Sequence, residues 1–237
     1  MEAPMNMLVA VDGTDSKEWR TGEENSHVLR FHHSYRGRKL STDDMTHGPE
    51  TLGRDVPDIV RRVTAEVDQA YVDGVRVFDM VGHSRGGHIV LLIAKHLLDA
   101  QLNGAQVRFM GLFDAVDRSL KTENTKRVPA NVAICRHAVR ARGTLNRNWF
   151  QNTGREHGPE TNYEERIFWA SHGSMGGDPA QRWSIGAHEP GQGIWRAAKG
   201  LLAGPNTLLT PPFLDQFLTS YVWAWMRGEA VKAGVPV

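Results

Sequence analysis

The chain has 237 residues, 40% of them apolar and 23% charged, with a formal net charge of +1. That balance fits one globular domain and supplies no global field to attract nucleic acid or an anionic membrane. A single cysteine, Cys135, excludes an intrachain disulfide framework and reads as a small buried hydrophobe, and no apolar stretch approaches the roughly 18 residues of a membrane span.

The segment from Met1 to Met7 lacks a basic stretch followed by an apolar core, so a cytoplasmic location is expected, with export by a route that needs no cleaved signal left open. Leu8 to Val11 is a short buried-strand pattern that stops at the turn signature Asp12-Gly13-Thr14. His27 to Phe31 reads as a second short strand, followed by a polar loop with Gly37, Gly48, Pro49 and Gly53. Asp55 to Asp73 reads as an amphipathic helix with Ile59, Val63, Val67, Ala70 and Tyr71 on one face. A strand from Val75 to Val81 leads into Gly82-His-Ser-Arg-Gly86 and then into an apolar helix from about His88 to Leu102. Further strands are expected at Val107 to Phe113, Val132 to Cys135 and Glu165 to Ala170. Gly173 to Pro212, rich in Gly, Pro, Trp and polar residues, reads as a long irregular insertion or lid. Phe213 to Ala233 reads as a closing helix that docks Phe217, Tyr221, Val222 and Trp225 on the sheet. Strands alternating with helices predict an α/β fold, with a mostly parallel central sheet covered by helices on both faces. Residues 1–237 read as a single domain.

The most informative stretch is Gly82 to Gly86. Strand, Gly-x-Ser-x-Gly, helix is the context of a nucleophile elbow. The serine must sit on a sharp, strained turn so that its Oγ projects alone, and the flanking glycines avoid collisions with the neighbouring strand and helix. Because a serine hydroxyl is a weak nucleophile at neutral pH, it needs a base, and the base needs an orienting acid. Asp114 follows the strand after the elbow and fits the acid slot; a helix N-cap or Asx turn is the plainer reading, and Asp117 is the nearest competitor. His172 ends the last strand and fits the base slot, with His188 as the runner-up. Asp12, Ser84, Asp114 and His172 all lie just past a predicted strand, where parallel sheets place their active sites. An oxyanion hole would combine the N–H of Arg85 with the loop at Gly13-Thr14, which is otherwise a plain turn.

Other clusters carry competing readings. Arg136, Arg140, Arg142 and Arg147 form either a solvated helix face or a patch that docks a phosphate or carboxylate. Trp183, Trp195, Trp223 and Trp225 either pack the core or line an acyl pocket. The eleven histidines show no metal-site spacing, and no cofactor is implied.

Taken in order, Asp12-Gly13-Thr14, Gly82-His-Ser-Arg-Gly86, Gly111-Leu-Phe-Asp-Ala-Val116, Arg136-His137-Ala138 and His172-Gly-Ser-Met-Gly-Gly177 resemble a bacterial and fungal α/β-hydrolase family. That family includes type VI secretion phospholipase effectors. The resemblance spans about Leu8 to Met226. It implies an α/β-hydrolase fold, Ser84 as nucleophile, Asp114 as acid, His172 as base, a helix start at His137-Ala138, and hydrolysis of esters with phospholipids as one substrate class. His83 stands where the family usually carries Phe, and Gly87 where it usually carries Ala. The expected function is therefore esterase- or lipase-like cleavage of a small-molecule or lipid carboxylic ester. A non-catalytic binding module on the same fold and an acyltransferase are the alternatives.

Overall fold

A computed structural model gives the structure over residues 5–13, 26–40, 55–117, 126–141, 152–178 and 212–237. In chain order these carry β1 (Asn6–Val11), α1 (His27–Ser34), β2 (Arg38–Lys39), α2 (Val56–Val72), β3 (Val77–His83), α3 (Arg85–Asp99), β4 (Gln106–Phe113), β5 (Val132–Arg140), β6 (Asn162–Phe168), α4 (His172–Gly176) and α5 (Pro212–Lys232). The six strands form one sheet in the order β2-β1-β3-β4-β5-β6, and every pair is parallel. Met7 to Val11 are buried without a break, as expected for a central strand covered on both faces.

Side-chain alternation along β4 shows how the two faces are covered. Phe113 turns to one side, its ring 5.4 Å from that of His27 on α1, and Trp223 of α5 stacks on the same His27 at 5.6 Å. Leu112 turns to the other side beside Leu91 of α3; a Cβ added to Gly154 would meet both at 2.9 Å. Helix α2 lies against α3, where His96 donates to Asp68 across 2.9 Å. Its apolar positions Val56, Ile59, Val63, Val67 and Ala70 recur at helical spacing, Pro57 opens the first turn, and Asp58 follows at the positive end of the helix dipole. Among the described residues no helix is long and apolar enough to cross a membrane.

Strand direction places the chemistry. The chain runs from β1 outward to β2 and returns to β3 on the other side of β1. The order of the sheet therefore reverses at β1, and the carboxyl ends of β1 and β3 are where open parallel sheets place their ligand sites. Asp12 and Ser84 stand at those two ends.

Four expectations need correction. Of the residues expected to dock the closing helix on the sheet, Val222 and Trp225 are buried, but Phe217 and Tyr221 face solvent, at 66% and 45% exposure. His27 to Phe31 is helix, not strand. Ser26 caps it by accepting the Leu29 N–H at 3.3 Å, and Val28, Leu29, Phe31 and Tyr35 bury one face, so a five-residue apolar run was one flank of a helical stripe. Strand β5 continues past Cys135 to Arg140, and His137-Ala138 lies within it rather than opening a helix. The region from Gly173 begins in helix α4, which ends at Gly177 (φ 105°); the rest of the expected lid, residues 179–211, lies outside the described residues.

Buried histidines make this fold sensitive to acid. Burial pushes the His27 imidazole down to about 3 and that of His137 to about 4, against 6.5 in an unfolded chain. Between those values the unfolded state binds more protons, so stability rises with pH there and is lost as pH falls below 6.5. Thermal unfolding followed by circular dichroism is expected to give a Tm several degrees lower at pH 5 than at pH 7, with little change between pH 7 and pH 8.

Candidate active site

Strand β3 ends at His83 and α3 begins at Arg85, leaving Ser84 alone between them at φ 54°, ψ −123°. Those angles belong to the first central position of a type II′ turn, which glycine favours, and holding a side chain there costs on the order of 1–3 kcal/mol. The surroundings fix it from three sides. The Ser84 N–H donates to the Phe113 carbonyl at 2.9 Å, while the Ser84 carbonyl accepts from Gly87 at 3.1 Å and from Val116 at 3.0 Å. The glycines are required by close approach. A Cβ on Gly82 would lie 2.6 Å from the Gly86 carbonyl oxygen, and one on Gly87 would lie 2.5 Å from the Cβ of Ala115. One on Gly86 would overlap the carbonyl oxygens of Val11 and Asp12. Backbone atoms of β1 cannot yield as a flexible side chain can. Gly86→Ala is therefore expected to cost several kcal/mol, about the upper end for a point substitution, read as a large fall in the urea midpoint.

Asp114 occupies the equivalent position after β4, also at positive φ (45°), with its N–H donating to Ala138 at 2.7 Å. Its carboxylate is sealed from solvent and held by four groups. His172 Nδ1 lies 2.7 Å from Oδ2, and Arg140 Nε is 2.7 Å from the same oxygen. Asn152 donates to Oδ1 at 2.9 Å, and the Arg140 N–H does so at 3.3 Å. Burial alone would raise this carboxyl, but the Arg140 charge and the hydrogen bonds from His172 and Asn152 outweigh it and hold it well below the usual carboxylate range.

His172 completes the line. Its Nε2 lies 2.7 Å from Ser84 Oγ. With Nδ1 facing a carboxylate, the ring carries its proton there, and Nε2 accepts the serine hydroxyl. Burial, with the Arg140 charge behind it, pushes the imidazole down to about 3 despite Asp114, so the ring is neutral at ordinary pH. The His172 side chain is 24% exposed and that of Asp114 is 0% exposed, so solvent reaches the imidazole but not the carboxylate behind it. Asp117, the competing acid, instead faces buried His88 at 3.8 Å.

The oxyanion-hole candidates are placed unequally. Arg85 opens α3, so its N–H belongs to the first turn, whose donors no carbonyl within the helix accepts. The Gly13 N–H donates to Asp12 Oδ1 at 2.6 Å and is committed to its own loop. What Gly13 contributes is close approach: its missing Cβ leaves room 3.3 Å from that of Ser84. Thr14 and the alternative base His188 lie outside the described residues.

The basic cluster is not a solvated helix face where it can be seen. Arg136 and Arg140 lie on β5. Arg136 donates to Glu229 at 2.8 Å and to the Asn162 carbonyl at 2.8 Å, tying β5 to α5 and β6, while Arg140 faces Asp114. Arg142 and Arg147 lie outside the described residues, as do Trp183 and Trp195; Trp223 and Trp225 pack on aromatic neighbours. Buried His137 accepts the Ala115 N–H at Nε2 (3.2 Å) and so braces the turn that carries Asp114. Sequence reasoning missed the Arg140 and Asn152 contacts to the acid. Arg140 ends a strand, as Asp114 nearly does, and would have stood out had β5 been drawn to its full length. Among the described residues no cluster of His, Cys, Asp or Glu could hold a metal ion.

No family model matches the chain, and no curated protein matches it. Nine solved chains match in structure; one is the crystal structure of an uncharacterized protein from Pseudomonas aeruginosa, 13% identical, with a TM-score of 0.45. The match covers 95% of this chain and 51% of that one, so the chain spans about half the length of the solved structure it matches.

Proposed function

We propose that this chain is a serine hydrolase of the α/β-hydrolase type that cleaves carboxylic esters. The observation that carries the reading is the continuous line Asp114–His172–Ser84, with 2.7 Å at each step, ending on a strained serine at a helix N-terminus.

In this mechanism Ser84 Oγ attacks the ester carbonyl carbon while His172 Nε2 takes its proton. The imidazolium that forms is stabilised by Asp114, which stays ionised because Arg140 and Asn152 neutralise and satisfy it. The carbonyl oxygen becomes an oxyanion in front of the first turn of α3, where the helix dipole and the Arg85 N–H favour negative charge. As the tetrahedral intermediate collapses, His172 returns the proton to the leaving alkoxide, which departs as an alcohol and leaves an acyl group on Ser84. Water then attacks the acyl carbon, His172 takes one of its protons, and the second collapse frees the carboxylic acid and restores the Ser84 hydroxyl. A panel of p-nitrophenyl esters of increasing chain length, run beside a diacyl phospholipid, tests the reading. Turnover of at least one ester is expected, and no turnover of any panel member would remove the hydrolase assignment.

A further inference from the structure

His83, the last residue of β3, is used by none of the steps above, yet it is built into the site from both sides. Its side chain is only 13% exposed. The imidazole lies between two glycines: a Cβ on Gly13 would come within 2.7 Å of Nδ1, and one on Gly176 would overlap the ring at Nδ1 and Cε1. One of these glycines follows β1 and the other closes the short helix that starts with His172. Nε2 lies 3.1 Å from the backbone carbonyl of His172. A carbonyl can only accept, so Nε2 carries a proton and donates it. Nδ1 faces Asp12 Oδ1 at 3.6 Å. That carboxylate is itself fixed by the Gly13 N–H at 2.6 Å and by the Ser26 hydroxyl. The His83 and His172 rings are 4.9 Å apart.

Helix α4 has five residues, too few to hold its shape without tertiary support. On one side α5 supplies that support: Asp215 accepts the Ser171 N–H at 2.8 Å and the Ser171 hydroxyl at 2.6 Å, and Thr219 donates to the Ser174 carbonyl at 3.3 Å. On the sheet side Asp114 and Ser84 hold the imidazole of His172, and His83 holds its backbone carbonyl. We propose that His83 is a positioning residue for the ester hydrolysis assigned above, a peg between the Asp12–Gly13 loop and the backbone of His172 that sets the approach of Nε2 to Ser84 Oγ. The proposal rests on that hydrolase reading.

The test uses the full chain and the best p-nitrophenyl ester of the panel. His83→Phe fills the slot without a donor, whereas His83→Gln can still donate to the His172 carbonyl. In His83→Phe, kcat is expected to fall about tenfold to a hundredfold, the scale of a misplaced catalytic group, with KM within about twofold of the parent. His83→Gln should recover at least half of that loss on a logarithmic scale. If the Phe variant does not fold, His83→Met takes its place as an apolar residue flexible enough for the slot. Unchanged kcat in the apolar variant, or a Gln variant no better than the apolar one, overturns the proposal. Labelling of the parent by a fluorophosphonate separates the two levels. A labelled parent with an indifferent His83 variant sinks the peg alone, whereas an unlabelled parent removes the hydrolase reading and the peg with it.

Discussion

Ser84→Ala is expected to lower kcat for ester hydrolysis by about 10⁴-fold to 10⁶-fold, the range seen when the nucleophile of a Ser-His-Asp system is removed. Stability should barely move, because alanine keeps the Cβ and the three backbone hydrogen bonds at this position and loses only the Oγ contact with His172. Ser84→Gly separates the two roles of the residue. Glycine accepts φ 54° without strain, so the variant should be as inactive as the alanine one and yet unfold at a higher temperature than the parent. A gain of about 1 kcal/mol is the expected scale. That combination, activity lost and stability gained, is the signature of a backbone strained for function rather than for folding. A glycine variant less stable than the parent would mean that the turn is not under strain.

Asp114→Asn is the second large effect. The substitution keeps size and shape but replaces an ionised acceptor with an amide. His172 Nδ1 then faces a group that can either donate or accept, so the tautomer with the proton on Nδ1 is no longer enforced, and the imidazolium of the transition state loses its counter-charge. The cost in kcat is expected to be about 10⁴-fold. This acid has a further duty that a solvent-facing one would not. Arg140 is 1% exposed at its side chain and lies 2.7 Å from the carboxylate, so neutralising Asp114 takes away the counter-charge nearest a buried guanidinium. Removing one partner of such a pair costs about 3–5 kcal/mol. The variant should therefore show a clear drop in Tm beside the drop in rate, and rates must be referred to the folded fraction. A variant with near-parent kcat would show that Asp114 serves the fold alone.

The parts of this site that were legible in the sequence share one property: each is marked by a change of pattern along the chain. Ser84 stands where a strand period gives way to a helix through two glycines, and Asp114 and His172 stand where apolar runs stop. The structure brings those three residues into hydrogen-bond contact. What was not legible depends on partners far away in the chain. The second half of β5 carries Arg136, His137 and Arg140, which look like surface residues until Glu229, Ala115 and Asp114 are seen to satisfy them. Helix α1 was misread because five apolar-rich residues suit either period; Ser26 as a cap and Tyr35 one turn further on the same face were the signals that favoured helix. His83 reads in the sequence as an ordinary neighbour of the nucleophile, and only the two glycines that close on its ring show it to be enclosed.

The central claim is that Ser84 is an activated nucleophile, and a fluorophosphonate probe tests it without knowledge of the natural ester. The parent is expected to gain one phosphonyl adduct per chain, located by peptide mapping on the segment that holds Ser84, with no adduct in Ser84→Ala. A parent that stays unlabelled, or one whose adduct persists in the alanine variant, would contradict the account.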